Sequence, residues 1–144
     1  MGRLLILTLA IAGLAIADSG NGKPDFSGNW VLNLDKSNFG KSKKPEGMTL
    51  TVTHNGDNMH AVQTTNTAGG PLDVKGDWIL DGKEHDNATT KWEGNTLVSD
   101  RRMTDGTTQR IYLTLSSDGK TATEKVMTKG PSGSNTSTLV WERR

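Results

Sequence analysis

Residues 25–32 read Asp25-Phe26-Ser27-Gly28-Asn29-Trp30-Val31-Leu32, or DFSGNWVL. Phe26, Gly28, Trp30 and Leu32 fall on alternate positions, so in an extended chain they share one side. Leu34 keeps the same phase, while Asn29, Val31 and Asn33 occupy the other side. This is a strand with one deeply apolar face and one wet face.

The same period of two recurs downstream. Met48, Leu50 and Val52 alternate with Thr49, Thr51 and Thr53. Leu72, Val74, Gly76, Trp78 and Leu80 alternate with Asp73, Lys75 and Asp77. Ile111, Leu113 and Leu115 share a face, as do Leu139 and Trp141. Threonine fills many of the partner positions, and β-branched side chains suit a pleated surface.

Short turn signals separate these runs: Asn55-Gly56-Asp57-Asn58, Asp81-Gly82-Lys83, Glu93-Gly94-Asn95, Thr104-Asp105-Gly106-Thr107, Ser117-Asp118-Gly119-Lys120 and Gly130-Pro131-Ser132-Gly133. Asn-Gly and Asp-Gly supply the positive φ of tight hairpins. The pattern predicts about nine strands, near 28–34, 47–54, 59–66, 71–80, 85–92, 96–103, 107–116, 120–128 and 135–143. Connections this short join antiparallel neighbours, giving an all-β, up-and-down meander. Closure into a barrel of about 8–10 strands removes exposed edges. Residues 36–46, rich in Lys, Ser and Gly, are expected to form a helical turn or cover one mouth.

Upstream, MGRLLILTLAIAGLAIA carries one basic residue, Arg3, an apolar run from Leu4 to Ile16 and the small-residue close Ala15-Ile16-Ala17. Those three parts make a secretory signal over 1–17, with cleavage expected between Ala17 and Asp18, a mature tail over 18–24 and one barrel domain over 25–144. The run is too short and wrongly flanked for a stable membrane span. A periplasmic or secreted bacterial protein follows. It has no cysteine, so neither disulfides nor a lipid-attachment thiol contribute. Loss of Arg3 takes the net charge of the 144-residue chain from +1 to zero, which favours neither nucleic acid nor an anionic membrane as partner.

Phe26-x-Gly28-x-Trp30 on the first strand, the meander, and a last strand reading Thr138-Leu139-Val140-Trp141-Glu142-Arg143 together resemble the calycin superfamily of lipocalins and fatty-acid-binding proteins. The local form DFSGNWVLNLDKSNFG is most similar to small exported bacterial lipocalin-like proteins. The resemblance spans residues 25–143. It implies that Trp30 lies across the closed end of the barrel, that Gly28 permits close approach, and that a basic residue from a late strand packs on the indole. Arg143 is the first candidate for that residue and Arg110 the second. Where fatty-acid-binding proteins typically carry Arg-x-Tyr on the last strand, this chain has Leu139 and Trp141, so that carboxylate-binding pair is missing.

The candidate lining of the barrel is Met48, Leu50, Val52, Trp78, Arg101, Met103, Leu139 and Trp141, with Met59 and Met127 as further adaptable side chains. If Leu97 and Met103 face inward, Ser99 and Arg101 do too; the other phase turns Val98, Asp100 and Arg102 inward. An outer face is the ordinary place for these arginines. His54 and His60 flank the Asn55–Asn58 turn with Asp57 between them, as expected of solvated histidines rather than a metal site. Asp81, Glu84 and Asp86 lack the spacing of a calcium loop. No catalytic constellation, metal site or cofactor is expected. Two functions remain: a binding protein holding a small, partly apolar ligand, and a structural or interaction module whose barrel is filled by its own side chains. The interior volume separates them.

Overall fold

The computed structural model describes residues 22–144; the expected signal sequence and cleavage point lie outside the described residues. Ten strands follow in order: β1 (Gly28–Leu32), β2 (Gly47–Asn55), β3 (Asn58–Thr67), β4 (Gly70–Ile79), β5 (Glu84–His85), β6 (Ala88–Glu93), β7 (Thr96–Arg102), β8 (Thr108–Leu115), β9 (Thr121–Gly130) and β10 (Gly133–Arg143). Among the described residues there is no helix. All ten strands form one antiparallel sheet in the order β4-β3-β2-β1-β10-β9-β8-β7-β6-β5.

The meander therefore closes on itself through β1 and β10, where Trp30 pairs with Arg143 and Leu32 with Trp141. It stays open on the far side: β4 and β6 touch, but no ladder joins them. Only the connection between them bridges the gap, with Leu80 N–H donating to Asp57 O at 2.7 Å and Gly82 N–H to Thr90 O at 3.0 Å. The tenth strand arises where residues 85–92 were expected to run straight. Asp86 and Asn87 both have positive φ, 49° and 63°, and fold that stretch into a two-residue hairpin pairing His85 with Ala88.

The apolar phase set by Trp30 continues around the sheet. In register, Leu32, Trp141, Ala122 and Leu115 form one inward row, and Trp92, Leu97, Leu113, Glu124 and Leu139 form the next. Phe26, Trp30 and Trp141 are the most completely buried large side chains, each at most 2% exposed. At the closed end the rings of Phe26, His54 and Trp92 lie nearly parallel, each about 6.1–6.2 Å from the other two.

Arg143 locks that end. Its guanidinium carbon sits 4.3 Å from the centroid of Trp30. Its Nε donates to Gly119 O at 2.8 Å, Nη2 to Asp25 O at 3.1 Å and Nη1 to Ser27 O. The Trp30 indole in turn donates to Phe26 O at 2.9 Å. One side chain thus ties β10 to the N-terminal segment, β1 and the β8–β9 turn. Gly28 makes the approach possible: its φ of 132° is closed to most side chains, and a Cβ there would stand 2.9 Å from Arg143 Nη1. Arg110, the second candidate, instead pairs with Asp100 on the outer face, Nε to Oδ1 at 2.6 Å.

Trp30→Ala is expected to cost ~3–5 kcal/mol, as for large aromatic truncations in cores. Arg143→Ala should cost on the order of 1–3 kcal/mol from the lost ring contact and charged hydrogen bonds. Because the two residues touch, the double mutant should be less destabilised than the sum. Thermal and urea melts of the three variants check this, and strict additivity would contradict the packing described.

Candidate ligand-binding site

The curled sheet encloses a cavity of about 480 Å³ lined from both of its halves, by β2, β3 and β4 on one side and β7, β8, β9 and β10 on the other. Its apolar wall includes Met48, Leu50, Val52, Met59, Trp78, Leu97, Ile111, Leu113 and Leu139. Phe39, Lys43 and Pro45 cover part of the mouth. Their loop is held by an antiparallel bridge between Asn38 and Thr138. It is also held by Asn135, whose amide donates to Phe39 O at 3.2 Å and whose Oδ1 accepts from Lys41 N–H at 2.6 Å. The segment 36–46 is thus a cover without a helical turn.

Six of the eight candidate lining residues reach the cavity: Met48, Leu50, Val52, Trp78, Arg101 and Leu139. Trp141 lies outside its lining, sealed in the row below, where Leu32 and Ala122 flank it across the strands. Met103 follows the end of β7 and turns outward at 38% exposure, its N–H already donating to Thr107 O in the hairpin connection. Met127 is on the outer face of β9, while Met59 lines the wall. Trp78 lies flat over Gly76 on β4, where a Cβ would come within 2.5 Å of the indole. Side chains of any size at 76 would push that ring into the cavity.

Leu97, Val98 and Ser99 are all buried, and the phase of β7 is settled by the cavity wall, which takes in Leu97, Ser99 and Arg101 but not Val98; it carries Arg101 inward against the ordinary preference of arginine for an outer face. Arg102 stays exposed. No described carboxylate pairs with Arg101, which also borders the gap between β4 and β5–β6. Thr90 and Ser99, in the row just below it, satisfy each other at 2.9 Å.

Glu124 is the polar residue that sequence reasoning missed. It faces the cavity from β9, directly between Leu113 of β8 and Leu139 of β10. Protein surrounds it on every other side, and burial raises its carboxyl above the ordinary range; a long hydrogen bond from the Trp141 indole, 3.4 Å to Oε1, only partly opposes this. The available signal was the pair Lys125 and Lys129, which need the wet face of β9 and so turn Glu124 and Val126 inward.

The histidines are not the solvated pair expected beside the turn. Their positions are adjacent to facing partners, Thr53 opposite His60 and His54 opposite Met59, so they occupy opposite faces of the sheet. His54 is buried in the aromatic cluster; its Nδ1 accepts from Phe26 N–H at 3.3 Å and its Nε2–H donates to Gly56 O at 3.1 Å. Burial lowers its pKa, with Asp25 pulling the other way, so the ring sits there as a neutral structural donor and acceptor. His60 stays outside, 2.6 Å from Asp77. Among the described residues no group of histidine and carboxylate side chains is arranged to hold a metal ion.

No family model matches the chain, and no curated protein matches it. Solved structures do. Zebrafish ileal bile acid-binding protein, in complex with cholic acid, is similar with a TM-score of 0.58 at 15% identity, over 83% of this chain and 98% of its own. The siderocalin Ex-FABP, described as having dual ligand specificities, is similar at 0.54 and 8%, over 82% of this chain and 73% of its own. The fold is calycin-like, of the lipocalin and fatty-acid-binding type.

Glu124 carries a stability signature. A carboxyl whose folded pKa is raised favours the native state only while it is protonated. Its contribution is therefore present below the unfolded value, near 4.5, and is lost as pH rises through the folded pKa. Glu124→Leu also strips the Trp141 indole of its acceptor, a cost present at both pH values, so its effect on the melting temperature should be more favourable at pH 7 than at pH 4. An equal shift at the two pH values would contradict the buried setting of the carboxyl.

Proposed function

We propose that this is an exported binding protein that carries a small amphipathic molecule in the barrel, its acidic group toward Arg101. The observation that supports this most strongly is the cavity. At about 480 Å³ it falls within the ~300–1,000 Å³ of small-molecule sites, and its wall is apolar with a few converging polar groups. A barrel filled by its own side chains would leave no such volume.

Arg101 gives the ligand its sign. A guanidinium on the inner wall without a carboxylate partner is costly to desolvate, and an anionic ligand group compensates that cost. In place of the missing Arg-x-Tyr pair on the last strand stands Arg101 on a different strand, nearer the mouth, where Lys43 and Lys75 also line the cavity. The solved complex of a similar fold with cholic acid supports an amphipathic anion as the ligand class. Export rests on the signal sequence, and the mature chain should begin at Asp18 when secreted material is sequenced.

Displacement of 1-anilinonaphthalene-8-sulfonate by dodecanoate tests the reading. Dodecanoate should compete, and Val126→Trp, which fills the cavity from β9, should weaken it more than tenfold while the β-sheet circular dichroism is kept. Arg101→Gln should weaken dodecanoate by ~10-fold or more, the range for a hydrogen bond to a charged group, and leave dodecanol nearly unchanged. Dye and acid both failing to bind the wild type would overturn the proposal.

A further inference from the structure

The inward rows of β7 to β10 are spaced by two residues, and they change in character with depth. The row near the mouth holds Arg101 and Gln109, opposite each other on β7 and β8. The middle row holds Ser99, Ile111, Val126 and Ser137. The deep row reads Leu97, Leu113, Glu124, Leu139, three leucines and one carboxyl. On β8 the two polar levels are marked by Gln109 and Leu113, four residues apart, which at ~3.3 Å per residue is about 13 Å.

The one structural task visible for a carboxyl in that deep row is to accept the buried Trp141 indole N–H, and that uses Oε1 alone. Glu124 forms no ion pair among the described residues, and its single protein hydrogen bond is the long one from Trp141 to Oε1. Oε2 has no hydrogen-bond partner among the described residues, and Glu124 lines the cavity. Leucine would complete the row and remove the desolvation cost. A polar atom kept at such a position, facing an open cavity, is a ligand contact in waiting.

We propose that Glu124 is a second polar subsite at the deep end of the cavity, and that the ligand is an amphipathic anion carrying a hydroxyl about 13 Å from its acidic group. This rests on the binding function proposed above and adds the second pole of the ligand. The raised pKa of Glu124 agrees with a neutral hydrogen-bonding partner, since an un-ionised carboxyl both donates to and accepts from a hydroxyl. The acidic end then meets Arg101, the chain between lies along Ile111 and Val126, and the hydroxyl reaches Glu124.

Dodecanoate and 12-hydroxydodecanoate, titrated in parallel, test this. The wild type should bind the hydroxy acid ~3–10-fold tighter, the gain from one buried hydrogen bond set against dehydration of the hydroxyl. Glu124→Leu should reverse the preference while binding dodecanoate at least as well as the wild type. Glu124→Gln, which keeps a donor and an acceptor, should retain it. Equal affinity of the wild type for the two acids, or a preference that survives Glu124→Leu, would overturn the subsite while leaving the binding function standing, because dodecanoate still binds. Failure of the wild type to bind either acid would overturn both.

Discussion

The guanidinium of Arg143 lying on the Trp30 indole is the contact on which the barrel depends. A ten-strand meander has no covalent or topological reason to curl; it curls because its first and last strands meet. At that seam the pairing is short, with β1 only five residues long, and the ladder alone gives modest stabilisation. Arg143 adds a cation–π contact to β1 and charged hydrogen bonds to three backbone carbonyls, two in the N-terminal segment and one in the β8–β9 turn. Desolvation lowers its pKa, yet an arginine keeps its charge, so the clamp holds at any ordinary pH.

Pinning one seam leaves the opposite one free. With β1 and β10 joined, the twisted sheet brings β4 near β6 without a ladder between them. The inner face of β4 pays for this openness in exposed apolar surface: Leu72 and Val74 are 59% and 54% exposed although they share the inward phase of Trp78. The same openness gives the interior its volume. Its polar side chains stand among apolar ones, and a polar group left unmet against such a wall is costly.

Much of this was legible in the sequence because it rested on period two and on glycine turns. The calycin resemblance implied that Gly28 and Trp30 mark the closed end, and the phase of Leu72 through Trp78 names the inner face of β4. Three features escaped for physical reasons. Asp86-Asn87 makes a tight turn without glycine, since both residues tolerate the left-handed region, so two strands read as one. His54 looks like any turn histidine until Phe26 and Trp92, distant in sequence, are packed against it. Arg101 and Glu124 depart from the rule that charged residues face water, and no local periodicity signals such a departure. Their phases follow only from neighbours: Leu97 and Ser99 for one, Lys125 and Lys129 for the other.

Native-state hydrogen exchange measures the central claim directly, because it reports the opening free energy of each strand in the intact protein. If Arg143 and Trp30 pin the sheet, the slowest amides should be those bonded across the seam, Val31 and Asn33 from the β1 side and Glu142 on β10. The amides of β4 from Val74 to Trp78, beside the gap, should exchange orders of magnitude faster. Exchange at the seam as fast as at β4 would contradict the account.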